Sequence, residues 1–462
     1  MATGTAGSGG ERGEGSTGQP RRPQPGVRLI VALAVAGVLV TAAYALRPGE
    51  DLPAPTASSI GAPTSAGAST GPAPTPSTAA AAIGDGSTAD TGPQPHQPAV
   101  TRLSPGQRPP QFVVVSWDGA GETSGLFAHF REFAQRHQMG MTFFVSGIYL
   151  LPESRRADYH PPRHAVGAAD IGLLSDAAIR ATLTQIRGAW LEGHEIGTHF
   201  NGHFCGKGGG GDWTPAEWDS EIGQAVRFVT TWRTATGFTD LPPLPFDYDK
   251  ELVGSRTPCL EGQAGLVKAA ATARWRYDTS GTGRQVWPTK LAGTALWNIP
   301  MQSLPVPGRT TEFLSMDYTF LANQSKTVNG DPAQRPKWQA EMRGSLLAGF
   351  ARAYDGNRAP LILGNHFENW NGGIYMNAVE SALTEMATKP DVRFVSFRQL
   401  CDWLDAQDPA VLAALQGLPV GSAPSGGWAT LAKGSAGSTT PPATPPAVSA
   451  PPTVSTPPVR KV

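Results

Sequence analysis

The sequence predicts an α/β domain with parallel strands, set within a longer chain of 462 residues. Short apolar, β-rich runs alternate with helix-periodic segments between residues 111 and 416, a pattern typical of strands joined by helical crossovers. The stretches on either side are rich in Pro, Gly, Ala, Ser and Thr, a composition that buries too little apolar surface to offset chain entropy. The sequence therefore predicts one folded domain flanked by disordered segments.

The domain begins with a strand, a helix and a second strand. Residues 112–117 read Phe-Val-Val-Val-Ser-Trp, an apolar run that predicts a buried strand. A helical segment follows at about 125–137, and residues 141–145 predict the next strand. In such α/β folds the chemistry gathers where strands end and loops begin.

Capping signals fix several of the later elements. Ser175 precedes an amphipathic helix, and a short strand follows at residues 195–198. Residues 214–217 read Thr-Pro-Ala-Glu, a capping box with Pro at the first helical position. Near the end, residues 392–397 predict a strand and residues 399–406 a helix.

Residues 29–46 form an uncharged apolar run of eighteen residues that lies between two arginines. A helix of that length rises about 27 Å, close to the thickness of a bilayer core. The arginines that precede it favour a cytoplasmic N-terminus, so we expect a single transmembrane anchor with the C-terminal domain outside the cell membrane. A cleaved signal peptide is the alternative, because Ala43-Tyr44-Ala45 resembles a cleavage site. In either case the domain is expected to be exported.

The remaining boundaries follow from composition. We expect residues 1–28 to be a disordered cytoplasmic leader, residues 47–110 a disordered linker and residues 417–462 a disordered tail. The folded domain is predicted at residues 111–416.

Composition also excludes several function classes. The 37 basic and 37 acidic side chains balance to a formal charge of zero, which disfavours a nucleic-acid partner because phosphate binding needs a basic surface. The three cysteines form no C-x-x-C pair, and no phosphate-binding glycine motif is present, which disfavours zinc ribbons and nucleotide enzymes.

Three side chains at predicted strand ends could bind a metal. Asp118 ends the first strand, while His199 and His203 follow the strand at 195–198. Two imidazoles four residues apart and one carboxylate make a three-ligand set with an open position for water, which suits Zn²⁺ or another divalent ion. The alternative is that the histidines only satisfy local hydrogen bonds.

Several segments, taken together, resemble the polysaccharide deacetylase family, which is carbohydrate esterase family four or the NodB homology domain. They are residues 112–119, 142–144, 193–203, 255–258, 277–288 and 361–366. The family's T-F-D-D-G corresponds to residues 115–119, and its H-[ST]-x-x-H to residues 199–203. Its R-x-P-[YF] corresponds to residues 256–259, and its L-x-H-like element to residues 363–366. Residues 278–288 are similar to the chitin deacetylase-like motif.

The resemblance implies a distorted (β/α) barrel of about seven strands with the site at their carboxyl ends. It implies that Asp118, His199 and His203 bind the metal, most commonly zinc or cobalt, and that His366 is the general acid. It also implies that Arg256 is a charged support for the site.

The resemblance further implies a substrate surface made by Cys259 and two tryptophans. The backbone N–H of Cys259 would be an oxyanion donor, and Trp287 would line the sugar subsite. Trp117 stands where this alignment puts the family's catalytic base, so it could contact substrate but could not accept a proton. Glu122 and Asp317 are the candidates to replace that base, unless the metal activates water without one.

Cys205 lies two residues after His203, and Cys259 lies in the third motif. The two motifs would sit on neighbouring strands, so we predict a Cys205–Cys259 disulfide in an oxidising compartment. Two separate buried thiols are the alternative. Trp213, Trp275, Trp297, Trp370 and Tyr318 are candidate sugar contacts, although tryptophans are more often core residues.

The sequence thus predicts an exported, monomeric, metal-dependent hydrolase. It would remove acetyl groups from an N-acetylated or O-acetylated polysaccharide such as peptidoglycan or a chitin-like glycan. The alternative is a catalytically impaired glycan-binding or wall-associated protein, because Trp117 occupies the base position.

Overall fold

A computed structural model of the chain describes residues 81–431. Its strands are β1 (Ala82–Ile83), β2 (Thr88–Ala89), β3 (Gln111–Asp118), β4 (Met141–Val145), β5 (Glu195–Thr198), β6 (Gly254–Ser255), β7 (Tyr277–Asp278), β8 (Thr282–Gly283), β9 (Thr289–Lys290), β10 (Trp297–Asn298), β11 (Met301–Leu304), β12 (Phe313–Leu314), β13 (Leu361–Asn365) and β14 (Val392–Phe394). Its helices are α1 (Leu126–Arg136), α2 (Asp176–Leu191), α3 (Pro215–Thr230), α4 (Trp232–Thr236), α5 (Tyr248–Glu251), α6 (Gln263–Thr272), α7 (Asp317–Asn323), α8 (Arg335–Tyr354), α9 (Trp370–Ala387), α10 (Phe397–Ala406) and α11 (Pro409–Gln416).

The main sheet is a curled, mostly parallel sheet of nine strands. Its order is β13-β3-β4-β5-β6-β7-β10-β9, and β14 also pairs with β3. The β9–β10 pair is antiparallel, whereas the other pairs are parallel. The predicted α/β class with parallel strands is confirmed.

The sheet is open, unlike a fully closed barrel. A separate small sheet of order β12-β11-β8 adjoins β13 through a parallel bridge between Met316 and Gly364. Gln302 on β11 also links the two sheets. Its side chain donates to the carbonyl of Pro360, just before β13, and accepts from the N–H of Ile362 on β13. The expected barrel is therefore a curled half-barrel with a second sheet beside its open edge.

The capping signals act as the sequence indicates. The Ser175 side chain accepts from the N–H of Ala178 at the start of α2. Thr214 and Glu217 form a reciprocal capping box at the start of α3. Ser396 forms a second capping box that starts α10, and the strand predicted at 392–397 accordingly ends at Phe394.

The alternation of side chains along β3 separates two cores. Val115 and Trp117 belong to the large cluster under helices α1, α2, α3, α8 and α9. Phe112 and Val114 point the other way, into the cluster that contains the apolar face of α10. Ser116 and Asp118 share the direction of Val114, because successive side chains of a strand face opposite sides.

The folded region is longer than residues 111–416. Within the predicted linker, β1 pairs with β2, and Leu103 is 7% exposed. Beyond residue 416, Leu431 is 7% exposed against the same cluster as α10. Side-chain hydrogen bonds explain this packing of a Pro-rich stretch, since Gln407 binds the backbone of Leu103 and Thr101. Composition does not reveal contacts of this kind. The prediction of disorder for residues 81–110 and 417–431 is therefore wrong.

The predicted apolar span at residues 29–46 lies outside the described residues. Among the helices of residues 81–431, none is both long and apolar enough to cross a bilayer.

Candidate active site

A cavity of about 150 Å³ opens at the carboxyl ends of the central strands. Asp118 reaches it from the end of β3, His199 and His203 from the loop after β5, and His366 from the residue after β13. The structure therefore brings four sequence-predicted side chains to one cavity. Other lining residues are Gly119, Gly121, Thr123, Ser146, Tyr149, Ile171, Phe367, Glu368 and Trp370.

Asp118 is held by a buried arginine. Arg256 Nη1 donates to Asp118 Oδ1 at 2.8 Å, and the side chains of Arg256 and Asp118 are 0% and 2% exposed. Arg256 also donates to Ser116 Oγ at 2.7 Å and to Thr279 Oγ1 at 3.1 Å. Burial alone would raise the pKa of Asp118, but the charge of Arg256 and smaller effects of the histidines hold it below its usual value. Asp118 is thus an ionised carboxylate at neutral pH.

His366 is paired with a buried aspartate. Its Nδ1 lies 2.7 Å from Asp317 Oδ1, and its backbone N–H donates to Asp317 Oδ2 at 2.8 Å. Burial disfavours the charged imidazole, but the Asp317 charge and hydrogen bond outweigh it and raise the pKa of His366 to about 9. Because Nδ1 is bonded to Asp317, Nε2 is the nitrogen left for the cavity. His366 is therefore a protonated donor at neutral pH.

The two remaining histidines are neutral. His199 Nδ1 donates to the backbone carbonyl of Arg256 at 2.8 Å, which leaves the Nε2 lone pair free. Burial lowers the pKa of His199 to about 3, and burial also lowers the pKa of His203. The two ring centroids lie 5.2 Å apart. Neutral imidazoles, one of them oriented through Nδ1 by a backbone carbonyl, are the form in which histidine binds metals.

The loop that carries these histidines has strained backbone angles and is hydrogen-bonded to Tyr159. Phe200 and His203 in this loop have left-handed backbone angles, both with φ of 60°. Cys259, in the loop after β6, is also left-handed with φ of 57°. Such conformations cost about 1–3 kcal/mol each for residues other than glycine and gather at functional sites. Tyr159 accepts from the N–H of Gly202 at 2.9 Å and donates to the buried carboxylate of Glu221 at 2.9 Å. This contact to α3 helps fix the loop.

The donor set fits a divalent ion through its two histidines. A group of three possible ligands whose atoms lie within 4.8 Å of one another exists in the described residues, but it comprises His203, Cys205 and Cys259. Those two sulfurs are bonded to each other, so neither is a thiolate ligand. Asp118 and His199 do not join His203 in a group that tight. His199 and His203 are therefore the residues that would hold the ion.

Both tryptophans predicted to contact substrate lie in the core, which corrects that prediction. Trp117 is 0% exposed and stacks on Phe367 with ring centroids 4.5 Å apart. Trp287 is 1% exposed and donates to the backbone carbonyl of Asn357 at 2.8 Å. Strand alternation turns the side chain of Trp117 toward α1. The indole of Trp287 is held in the core by its buried hydrogen-bond partner.

Neither candidate for a replacement base acts as one in this arrangement. Glu122 accepts from the backbone N–H groups of Gly125 and Ala128, so it caps the start of α1 and does not line the cavity. Asp317 is bonded to Nδ1 of His366 and is not among the residues that line the cavity. The carboxylate that does line the cavity and pair with Arg256 is Asp118.

The predicted disulfide is present. Cys205 and Cys259 are bonded, with their Cα atoms 6.0 Å apart, and link the loop after β5 to the loop after β6. Cys259 is not among the residues that line the cavity, so the structure does not bring its backbone N–H to the place expected of an oxyanion donor.

Breaking this disulfide should destabilise the domain. The bond closes a loop with a sequence separation of 54, so we expect the Cys205→Ser/Cys259→Ser variant to lose about 2–4 kcal/mol in the free energy of unfolding. Denaturant unfolding of the full chain with and without a dithiol reductant measures this. The double variant is the control, because it retains only buried Cys401 and should not respond to reductant. An unchanged wild-type midpoint under reductant would contradict the prediction.

Aromatic residues at the cavity mouth were only partly identified from the sequence. Trp213, Trp275 and Trp297 are at most 6% exposed and belong to the core. Trp370 lines the cavity with its ring centroid 5.5 Å from that of His366, and the half-exposed Tyr318 packs edge-on against Trp370 at 6.0 Å.

Besides Thr123, sequence reasoning missed three other polar residues of the cavity. They are Ser146 and Tyr149, which follow β4, and Glu368, which follows β13. Ser146 Oγ is buried and has no hydrogen-bond partner in residues 81–431. The only available signal for these three was their place just after a strand.

Comparisons with known proteins find similar folds. No protein-family model matches the sequence, and no curated protein matches it. Solved structures similar to the chain include a protein of the polysaccharide deacetylase type from Mycobacterium smegmatis, with 15% identity and a TM-score of 0.38. That likeness covers 66% of this chain and 94% of the other.

Two further solved structures are of the same kind. A family 4 acetyl xylan esterase from Clostridium thermocellum, in complex with a cobalt ion, is 14% identical with a TM-score of 0.35, covering 64% of this chain and 92% of that one. The polysaccharide deacetylase from Bacillus cereus is 11% identical with a TM-score of 0.33, covering 62% and 92%. These three solved structures are thus named as carbohydrate esterases and deacetylases. Likenesses this distant concern the fold alone.

Proposed function

We propose that the chain is a hydrolase that removes acetyl groups from an acetylated polysaccharide. One observation carries the proposal. An ionised carboxylate, Asp118, and a protonated imidazole, His366, line the same cavity, and each is fixed by a buried partner of opposite charge. Two titratable groups whose pKa values are pushed apart in one cavity form a base and acid pair.

The roles follow from the charges. Asp118 accepts the proton of the attacking water, and Arg256 keeps that carboxylate ionised and oriented. His366 donates a proton from Nε2 to the departing nitrogen or oxygen of the sugar, and Asp317 holds the ring in place through Nδ1. The unpartnered hydroxyl of Ser146 is free to donate to a polar group of the substrate.

We propose a divalent ion, most commonly zinc, as the cofactor, held by Nε2 of His199 and by the ring of His203. When bound, such an ion polarises the acetyl carbonyl and lowers the pKa of water. The support for this proposal is the neutral state of both imidazoles and the hydrogen bond that orients His199.

The aromatic residues at the mouth support a sugar substrate. Trp370 stands beside His366, and Tyr318 extends from it into solvent with 52% of its surface exposed. The apolar faces of sugar rings pack on aromatic rings, which bury large areas at low entropic cost.

The competing function, a glycan-binding protein without catalysis, rests on the loss of the base at Trp117. The pairing of Asp118 with Arg256 in the cavity supports Asp118 as the base in place of the residue at Trp117, and on this ground we favour the hydrolase. We further propose, from the apolar run at residues 29–46 alone, that the domain is exported and tethered to the cell membrane.

Acetate release tests the proposed function. We expect the full chain, supplied with Zn²⁺ or Co²⁺, to release acetate from at least one of N-acetylglucosamine oligomers, peptidoglycan and O-acetylated xylan. The rate of release should fall about 10²–10⁴-fold in a variant that lacks the proton donor, His366→Ala. If no substrate yields acetate while the protein is folded and metal-loaded, the binding protein becomes the better interpretation.

A further inference from the structure

Asp118 pairs with Arg256 and does not form a tight three-ligand group with His199 and His203. The 2.8 Å contact between Asp118 Oδ1 and Arg256 Nη1 is wholly buried. A tetrahedral ion with ligands at about 2.0–2.2 Å needs its ligand atoms within about 3.5 Å of each other, whereas Asp118, His199 and His203 do not all come within 4.8 Å. Arg256 holds Asp118 through Oδ1 only, and Oδ2 is not bonded to the guanidinium. To bring a carboxylate oxygen close to both histidines, Asp118 would have to move relative to this buried partner.

The next residue along the chain lines the same cavity without a side chain. Gly119 has a φ of +62°, and a Cβ atom placed on it would meet nothing nearer than 3.7 Å, namely Ser146 Oγ and the ring of Tyr149. An aspartate therefore has room at this position. The positive φ strains any side chain placed there, and aspartate and asparagine are the side chains that best tolerate this backbone region.

We infer that this chain binds a divalent ion through His199 and His203 alone, that Asp118 stays on Arg256 and is not a ligand, and that Gly119 is the vacant third-ligand position. The inference deepens the proposed function and rests on it, because it assumes that the cavity takes a metal. A site with two protein ligands binds more weakly than the three-ligand sites usual for catalytic zinc. Zinc should therefore exchange readily from the wild-type chain.

Zinc calorimetry on the full chain tests this without measuring activity. We expect Gly119→Asp to lower the Kd for Zn²⁺ at least tenfold relative to wild type. Gly119→Asn is the matched control, because it adds a side chain of the same shape at the same φ without the charge, and its Kd should stay within threefold of wild type. His199→Ala/His203→Ala should abolish the added affinity of Gly119→Asp when the three changes are combined.

A second variant tests Asp118 directly. Asp118→Asn should change the Kd for Zn²⁺ by less than threefold if Asp118 is not a ligand, and thermal unfolding shows whether this variant is folded. A tenfold weakening in folded Asp118→Asn would overturn the inference. Equal Kd values for Zn²⁺ in Gly119→Asp and Gly119→Asn would also overturn it. Both of these variants keep the Asp118–Arg256 pair intact.

Acetate release is measured separately on the same preparations. If the zinc affinities follow the expected order while no substrate yields acetate, the ligand assignment stands and the proposed hydrolase fails. If acetate is released and Asp118→Asn binds Zn²⁺ at least tenfold more weakly than wild type, the hydrolase stands and the ligand assignment fails.

Discussion

Replacing His366 with alanine should lower the rate of acetate release about 10²–10⁴-fold, the contribution typical of a positioned general acid. The expectation rests on the 2.7 Å contact with Asp317 and on a pKa of about 9, which keeps the ring protonated at neutral pH. His129→Ala is the matched control, because His129 also pairs with a carboxylate, that of Glu380 at 2.8 Å, but outside the cavity. A rate for His366→Ala within threefold of wild type would contradict the assignment.

The pH profile gives this prediction a second readout. The wild-type kcat/KM should fall as pH rises through about 9, where His366 loses its proton. Asp317→Asn removes the charge that raises the pKa of His366, so the alkaline limb should move to lower pH. A variant that merely loosens the structure would lower the rate without moving that limb.

The same pair makes stability depend on pH. The folded pKa of His366 lies above the ordinary value of 6.5, so the pair stabilises the fold fully below about pH 6.5. This contribution is lost as pH rises through about 9. Unfolding of wild type and His366→Ala across this range should show a decline in the wild type that the variant lacks.

Replacing Asp118 with asparagine should have the largest combined effect on activity and stability. The change removes the proposed proton acceptor and leaves the buried guanidinium of Arg256 without a counter-charge. We expect a loss of about 10²–10⁴ in rate and about 3 kcal/mol in the free energy of unfolding, since removing one partner of a buried ion pair strands the other. Steady-state assay and denaturant unfolding measure the two effects.

Asp278→Asn is the matched control for this variant. Asp278 is also fully buried, one strand beyond Arg256, but it binds Gln263 and Ser280 and does not line the cavity. It should lose stability while the folded fraction keeps its rate. If Asp118→Asn keeps full activity, Asp118 is not the base.

Local signals in the sequence predicted four of the strands and four of the helices. The strands β3, β4 and β5 were located to within a residue or two, because each is a short buried run bounded by turn residues. The Thr214 capping box and the Ser175 cap fixed the starts of α3 and α2. Packing of residues 81–110 was not predictable, because it depends on contacts such as Gln407 with Leu103 that lie far apart in the chain.

The candidate site also combines features that local signals predict with features that depend on distant contacts. Spacing and strand position pointed to Asp118, His199 and His203, and the family resemblance added His366. The Cys205–Cys259 bond was predicted from two motifs expected on neighbouring strands. The sequence could not say which of two adjacent residues faces the cavity. That depends on the direction of each side chain on β3, which sends Trp117 into the core under α1 and Asp118 to Arg256.

By itself, the sequence determined the α/β class, the helix starts and the residue types that meet at the strand ends, because these follow from periodicity, capping and strand position. Only the tertiary structure decided the partners: Asp317 behind His366, Arg256 beside Asp118, and open space at Gly119. The physical reason is that the charge of a buried group depends on the neighbours that the fold brings to it. Those neighbours, 49 and 138 residues away for the two pairs, leave no local pattern in the chain.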